Sequence, residues 1–311
     1  MGTYILRRIF LIIPVLLGIS LLIFAIAKVT PGDPAAALAF PNTTPARIEF
    51  LRHQLGLDQP IYVQYGRFLW NAIHGDLGVS YRGSIPVLKA LLDRLPNTLE
   101  LTLAALAITI VAGIPLGVLA ASNKNKLIDN TIMVTALTGL SIPSFYLGII
   151  LIIVFAVHLK LVSATGGPGL KNLILPAVAL AAAPTAVMIR LTRASMLEVV
   201  SKDYVRTARA KGLKERIILV RHILRNSLIP IATFLGLLTG NLVVGAVFIE
   251  AVFARPGFGR FLVDAIIARD YPQVQGAVLF SACAFVGLNL LIDILYGIID
   301  PRIRLEDKRV E

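Results

Sequence analysis

The chain has 311 residues, of which 57% are apolar and 15% charged, with a formal net charge of +12 and a mean hydropathy of +0.80. Soluble domains average about 45–50% apolar and about 25% charged residues, so this composition excludes a disordered, collagenous or ordinary soluble protein. A single cysteine excludes a scaffold held together by internal disulfides. The composition predicts an all-α protein that crosses a membrane several times.

Six stretches are apolar over the roughly 20 residues that a helix needs to cross the hydrocarbon layer. They span residues 9–29, 99–121, 131–157, 173–191, 229–253 and 274–299. The first follows Arg7 and Arg8 like a secretory signal, but it is longer than the 7–15 or so residues of a signal core. We therefore expect an uncleaved anchor. The third contains Ser141-Ile-Pro-Ser144, which predicts a kink whose hydroxyls satisfy freed carbonyls.

The chain divides in sequence at residue 96. Residues 1–96 combine the first crossing with an extracytoplasmic segment, which opens on a turn cluster at 30–34. Apolar spacing in that segment predicts a helix over 45–57 that stops at Gly56, and an amphipathic helix over 61–73. Residues 97–311 hold the other five crossings as a core of helices with one long loop, expected in the cytoplasm, at about 192–228.

The basic residues indicate the orientation in the membrane. Counting both ends and every second connection gives 18 Lys and Arg against eight Asp and Glu, whereas the opposite set holds 12 against nine. Because Lys and Arg favour the cytoplasmic side, both termini are expected in the cytoplasm. The positive charge then needs no nucleic acid to explain it.

The long cytoplasmic loop is patterned as a helical hairpin. Ser201 or Asp203 is expected to cap a helix over 204–211, and Gly212 to end it in the left-handed conformation. A second helix over 214–224 places three apolar side chains on one side, those of Ile217, Ile218 and Ile223. Small residues at the first helix, namely Thr207, Ala208 and Gly212, are expected to let another protein approach closely.

Several kinds of catalytic chemistry are missing from the sequence. No Gly-Lys pair occurs, so the chain has no P-loop for ATP. The four histidines are scattered without the spacing of a metal site. The nearest arrangement to a membrane serine hydrolase, Ser141 with His158, lacks the glycine that follows the nucleophile. We expect a chain that is not itself an enzyme.

Three features inside the crossings keep two interpretations each. Asp293 and Glu250 are candidates for structural ion pairs or for a role in transport, because intramembrane acids are expensive. Gly236 and Gly240 allow a close helix crossing, either within the chain or with another subunit.

The cytoplasmic loop resembles the coupling loop of ABC importer permeases, and more narrowly the membrane subunits of dipeptide, oligopeptide and nickel importers. The resemblance rests on Asp203-Tyr-Val-Arg-Thr-Ala-Arg-Ala-Lys-Gly-Leu213 and Arg221-His-Ile-Leu-Arg-Asn-Ser-Leu-Ile-Pro230. Other matching motifs run from end to end of the chain: Pro31-Gly-Asp-Pro34, Leu55-Gly-Leu-Asp-Gln-Pro60, His74-Gly-Asp-Leu-Gly-Val-Ser80, Arg193-Ala-Ser-Met196, Ala254-Arg-Pro-Gly-Phe-Gly-Arg260, Arg269-Asp-Tyr-Pro272 and Asp300-Pro-Arg-Ile-Arg304.

The resemblance implies a six-helix type I importer permease in a bacterial inner membrane. It implies a homologous second permease, two ATPase subunits that bind ATP and Mg²⁺, and an extracytoplasmic substrate-binding protein, with no cofactor on this chain. It also implies that the loop docks on an ATPase through Asp203, Tyr204, Arg206, Thr207, Ala208, Lys211, Gly212 and Leu213. Short peptides are the expected substrate. Nickel or glutathione is the alternative, and an autonomous secondary transporter is the second alternative, although it would normally show inverted repeats.

Overall fold

The computed structural model describes residues 2–29, 33–39, 44–81, 83, 85–163 and 169–299, with the side chains of these ranges except at 2–9, 37, 229 and 291–299. Most of the turn cluster at 30–34 and the tail motif at 300–304 therefore lie outside the described residues, as does the side chain of Asp293.

Helices make up the regular structure of the described residues, which confirms the all-α prediction. They are α1 (Gly2–Val29), α2 (Pro34–Ala39), α3 (Pro45–Gln54), α4 (Ile61–Ile73), α5 (Val87–Leu92), α6 (Leu95–Ser122), α7 (Leu127–Ser141), α8 (Ser144–Leu151), α9 (Leu170–Val200), α10 (Asp203–Ala210), α11 (Glu215–Ile217), α12 (Arg225–Val252), α13 (Phe258–Ala268) and α14 (Tyr271–Ile299). Two π-helical segments, Ile152–His158 and Ile218–Leu224, follow α8 and α11.

The apolar helices agree with the predicted crossings. Within the described residues, five helical stretches are each long and apolar enough to span a membrane, and the pair α7–α8 makes a sixth if it counts as one bent crossing. The bend in this pair is 101° and lies at Ser141–Ser144. The predicted kink is confirmed by this bend. Ser141 Oγ donates to the Leu137 carbonyl within α7 at 2.9 Å, while the use of the hydroxyls on carbonyls freed by Pro143 stays a prediction.

The described chain forms two compact units, and the first is assembled from both ends of the sequence. Unit 1 comprises residues 1–96 and 257–311, and unit 2 comprises residues 97–256. In unit 1, α14 packs against α1, α5 and α13. A small core lies between α5, α13 and α14 and contains Val87, Ala90, Leu91, Phe258, Phe261 and Ala277.

The segment of unit 1 that follows α1 has the two helices that were predicted. α3 ends just before Gly56, whose φ is +64°, and α4 covers Ile61–Ile73 as the sequence indicates. The connection between α4 and α5 is bound by Asp270, the residue just before α14. The Asp270 carboxylate accepts from Ser80 Oγ at 2.6 Å and from the Tyr81 backbone N–H at 3.0 Å.

Unit 2 is built around α9, which packs against α7, α8 and α12. Its largest core contains Leu101, Ala105, Leu173, Leu175, Ala177, Ala179, Leu180, Ala181, Leu238, Leu242, Ala246, Ile249 and Phe253. The closest approach is made by α6, where a methyl group added at Gly113 would lie 2.6 Å from Met188 Cγ, and one at Gly117 2.5 Å from Thr192 Cβ. Only glycine fits at these two positions, because real carbon contacts are never so short.

Candidate functional site

The predicted hairpin is present and ends on glycine as expected. α10 runs over Asp203–Ala210, and Gly212 follows with a φ of +73°. The Gly212 N–H donates to the Arg209 carbonyl at 2.9 Å, so the turn ties back to the last helical residues. Since a side chain at positive φ is strained, this position favours glycine. The helix and its terminator are confirmed, while the docking role of the hairpin stays a prediction.

The expected cap of α10 is wrong. Lys202 occupies the N-cap position and makes no side-chain capping bond. Ser201 Oγ instead donates to the Glu198 carbonyl at 2.7 Å, so its hydroxyl serves the end of α9. Asp203 lies inside the first turn of α10, where its carboxylate is 3.9 Å from Arg206 Nη1 and favourable for the helix dipole.

One side of α10 is fastened to the rest of unit 2. Val205 is fully buried and Ala208 is 6% exposed. Both belong to an apolar cluster, here called the hairpin core, made of Ala121, Met196, Val205, Ala208, Ile218 and Ile223. The expectation that Ala208 faces a partner is therefore wrong: its small side chain lets α10 lie close to its own protein.

The second half of the hairpin departs from the predicted helix. Ile218 and Ile223 are buried as expected, but Ile217 is 42% exposed. The reason is the π-helical segment Ile218–Leu224, whose wider turn shifts the side-chain phase that a 3.6-residue period assumes. This segment continues directly into α12, so the hairpin and the fifth crossing form one continuous helical run.

The opposite side of α10 is open and basic. Tyr204 is 45% exposed and Leu213 40% exposed, and the remaining predicted site residues Asp203, Arg206, Thr207, Lys211 and Gly212 are also exposed. This side of α10 therefore presents an exposed tyrosine and an exposed leucine beside Arg206 and Lys211.

An ion pair closes the hairpin. Arg209 Nη2 donates to Glu215 Oε1 at 2.7 Å, and Arg209 Nε to Glu215 Oε2 at 3.3 Å. The hydrogen bonds from Arg209 lower the pKa of the Glu215 carboxyl, and the carboxylate in turn raises the pKa of the Arg209 guanidinium. Because both side chains are largely exposed, the pair orients the turn more than it stabilises the fold.

Sequence reasoning missed a second ion pair, which is buried near the hairpin. Asp129 at the start of α7 is 1% exposed and accepts from Arg193 Nε at 2.6 Å and from Arg193 Nη2 at 2.7 Å. The Asn125 backbone N–H is a third donor at 2.9 Å. Arg193 lies on α9 one turn before Met196 of the hairpin core. The sequence signal that could have predicted this pair was an acid and a base, Asp129 and Arg193, each near the end of an apolar stretch.

A polar cluster lies at the other end of unit 2. Glu250 is fully buried and its Oε1 accepts from Thr98 Oγ1 at 2.6 Å. Arg255, 2% exposed, pairs with Glu100. Glu250 thus has a hydroxyl donor, and the choice between a structural ion pair and a role in transport stays open.

The remaining candidates stay predictions. Gly240 is buried and Gly236 half-buried in α12, which leaves both interpretations of that pair open. The described residues contain no group of three His, Cys, Asp or Glu side chains that could hold a metal ion.

Comparison with known proteins agrees along the whole chain. A family model described as the inner membrane component of binding-protein-dependent transport systems matches residues 113–305, and a model for the N-terminal part of such components matches residues 1–102. The dipeptide transport system permease protein DppB of Escherichia coli (strain K12) is 41% identical, over 97% of this chain and 98% of that protein.

Other relatives are named for peptides and for glutathione. A putative peptide transport system permease protein of Brucella abortus (strain 2308) is 46% identical over 98% of this chain and 100% of its own. The glutathione transport system permease protein GsiC of Escherichia coli O6:H1 is 42% identical, over 98% of this chain and 99% of that protein.

A solved structure shares the fold. A chain of the inward-facing MetNI methionine ABC transporter superposes with a TM-score of 0.56 at 21% identity, covering 68% of this chain and 95% of that one. Members of this family are non-catalytic subunits that work with a partner ATPase and a substrate-binding protein. The chain therefore belongs to the inner membrane components of binding-protein-dependent transport systems, as a multi-pass permease subunit of an ABC importer.

Proposed function

We propose that this permease imports short peptides and forms half of the translocation pathway, together with a homologous second permease. Support comes from relatives at 41–46% identity that are named for dipeptides or peptides. Glutathione, named for another relative, is itself a tripeptide. Nickel import, the autonomous transporter and the membrane hydrolase have no comparable support.

The proposed orientation places the hairpin and both termini in the cytoplasm. The lysine and arginine distribution supports it, as does the count of six crossings when the bent pair α7–α8 is one of them. Residues 44–81, with α3 and α4, then lie on the extracytoplasmic side, where a substrate-binding protein delivers the substrate.

The observation that carries the mechanism is the hairpin core. α10 packs through Val205 and Ala208 against the ends of three membrane helices, at Ala121 of α6, Met196 of α9 and the run that leads into α12. Buried side chains in a close-packed cluster move together. A displacement of α10 is therefore passed to three crossings at once.

The proposed cycle follows from this connection. Two ATPase subunits bind ATP and Mg²⁺, approach each other and carry the docked hairpins with them. The helices of unit 2 then change from an inward-open to an outward-open arrangement, and the substrate passes at the contact between the two permeases. The exposed residues Tyr204, Arg206 and Lys211 form the surface on which the ATPase docks.

The docking role is tested by Gly212→Val, with Gly169→Val as a matched control. Both glycines have positive φ, +73° and +108°, and open space around the position of a Cβ, but Gly169 lies at the start of α9 and outside the hairpin. Each valine costs about 1–3 kcal/mol of backbone strain. We expect only Gly212→Val to abolish dipeptide uptake and ATPase co-purification. Equal behaviour of the two variants would contradict the docking role.

The substrate is tested by uptake in cells that lack this chain. Radiolabelled Ala-Phe and ⁶³Ni²⁺ are compared with and without the gene restored. We expect restoration to return Ala-Phe uptake and leave Ni²⁺ uptake unchanged. The reverse result would replace the peptide by nickel, and purification without any ATPase would favour an autonomous transporter.

A further inference from the structure

Unit 1 contains an open cavity of about 490 Å³ that the importer mechanism above does not use. It lies among the end of α1, the helices α3 and α4, and the start of α14. Sites for small molecules occupy roughly 300–1,000 Å³, so the cavity is large enough for a compound of two or three residues.

The cavity carries charges of both signs with an excess of cations. Arg52 Nη2 and Asp33 Oδ2 form an ion pair at 2.6 Å on its wall. Lys28 and Arg67 also line it, and each donates to a neutral amide oxygen: Lys28 to Gln64, and Arg67 to Gln59 at 3.0 Å. Among the residues that the structure describes, no carboxylate pairs with either of these two cations, so a ligand carboxylate can join them.

Aromatic rings and amides complete the lining. Phe24 stacks on Phe68 with centroids 6.0 Å apart, and Tyr81 meets Tyr271 edge-on at 6.5 Å. All four rings line the cavity and offer apolar faces to a side chain. Burial, with the neighbouring Asp270 carboxylate, raises the pKa of the Tyr81 phenol well above its usual range. Its hydroxyl is thus a neutral group.

We propose that this cavity is a binding site for short zwitterionic peptides on the permease itself, with Lys28 and Arg67 receiving the terminal carboxylate. Asp33 accepts from the terminal ammonium, and the rings hold the side chains. A short peptide brings a carboxylate, an ammonium and more than one side chain, which matches the cations, the Asp33 carboxylate and the rings of the lining. The inference rests on the proposed peptide function and adds to it a site that captures the substrate before it enters the membrane.

The test measures peptide binding to the purified complex of permeases and ATPases, in phosphatidylcholine nanodiscs and without the substrate-binding protein. The probes are ¹⁴C-labelled Ala-Phe and its C-terminal amide, which lacks the carboxylate. A charge-assisted contact predicts roughly tenfold tighter binding of the free acid by the unchanged complex. Arg67→Gln is expected to bring this acid-to-amide ratio close to one.

Two further variants separate charge from folding. Arg47→Gln removes an exposed arginine of α3 that does not line the cavity, and it is expected to keep the ratio. Arg67→Lys retains the positive charge and is expected to keep most of the acid-to-amide ratio. A merely structural loss at Arg67 would weaken the acid and the amide equally, and would therefore overturn the proposal.

The outcomes distinguish this site from the proposed function. If Ala-Phe enters cells normally while the complex shows no saturable binding, or the ratio is the same in Arg67→Gln and Arg47→Gln, the cavity proposal is wrong and peptide import stands. If Ala-Phe is not imported at all, the peptide function itself fails, and the site fails with it. A third outcome is that phosphatidylglycerol stabilises the purified complex against unfolding, that Ala-Phe does not, and that the effect of the lipid disappears in Arg67→Gln. This outcome would make the cavity a lipid site and overturn the proposal.

Discussion

Asp129→Asn is expected to destabilise unit 2 far more than a matched change in an exposed ion pair. The carboxylate is 1% exposed and accepts three hydrogen bonds, two from Arg193 and one from the Asn125 backbone. An asparagine has one acceptor oxygen, and its NH₂ group points donors at donors. The variant therefore leaves the Arg193 guanidinium without its charge partner.

The magnitude follows from the burial of the two partners. Removing one member of a buried ion pair costs about 3–5 kcal/mol. Because the Arg193 side chain keeps 23% of its surface exposed, water relieves part of this cost, and we expect a loss of about 3 kcal/mol at the lower end of that range. The control is Glu215→Gln, which breaks a pair whose side chains are 42% and 66% exposed and should cost less than about 1 kcal/mol.

The assay is the free energy of unfolding in mixed detergent micelles, with dodecylmaltoside as the folding detergent and sodium dodecyl sulfate as the denaturant. The double variant Asp129→Leu with Arg193→Met completes the set, because an apolar pair of similar volume often replaces a buried ion pair without loss. We expect it to be more stable than Asp129→Asn. Equal, small losses for Asp129→Asn and Glu215→Gln would refute the reasoning that burial makes this pair structural.

Two further outcomes are expected from unit 2. Gly117→Ala places a methyl group 2.5 Å from Thr192 Cβ. The resulting clash of about 1–3 kcal/mol is expected to outweigh the gain of about 1 kcal/mol from the higher helix propensity of alanine, so the variant should be less stable in the same unfolding assay. In the control Gly139→Ala the methyl group has ordinary space, and this variant should be neutral or slightly more stable. Glu215 has a lowered pKa in the folded hairpin, so the bond from Arg209 stabilises the turn fully above the ordinary glutamate pKa of about 4.3. This stabilisation decreases below that pH and is lost as the pH falls through the lowered pKa. Hydrogen exchange of residues 203–215, corrected for intrinsic rates, should be faster at pH 3.5 than at pH 6 in the unchanged chain, and Glu215→Gln should remove the difference.

The helices were predictable because their signals are local. A run of about 20 apolar residues satisfies its backbone only as a helix in a membrane. Gly56 and Gly212 end helices because their positive φ suits a residue without a side chain. Both α3–α4 and α10 were therefore readable from neighbouring residues alone.

The directions of individual side chains were harder to predict. Ala208 points inward because of the way α10 packs against the rest of unit 2, and Ile217 points outward because a π-helical segment follows it. Neither feature changes the spacing of apolar residues in a way that one sequence reveals. The assembly of unit 1 from residues 1–96 and 257–311 is of the same kind, because the packing of α14 on α1 joins opposite ends of the chain. The division at residue 96 describes order in sequence and stays a prediction about organisation.

The pair Asp129–Arg193 shows the limit of sequence reasoning in chemical terms. Each charge sits near the end of an apolar window, where a single residue can snorkel to water at little cost. Nothing in either segment alone says that the two side chains, 64 residues apart, share two hydrogen bonds. Once paired, they fix the start of α7 to α9 one turn from the hairpin core. A displacement of α10 is thus resisted by a buried ion pair as well as by apolar contacts. Comparing Asp129→Asn with the double variant Asp129→Leu with Arg193→Met separates the cost of an unpaired charge from the contribution of the pair.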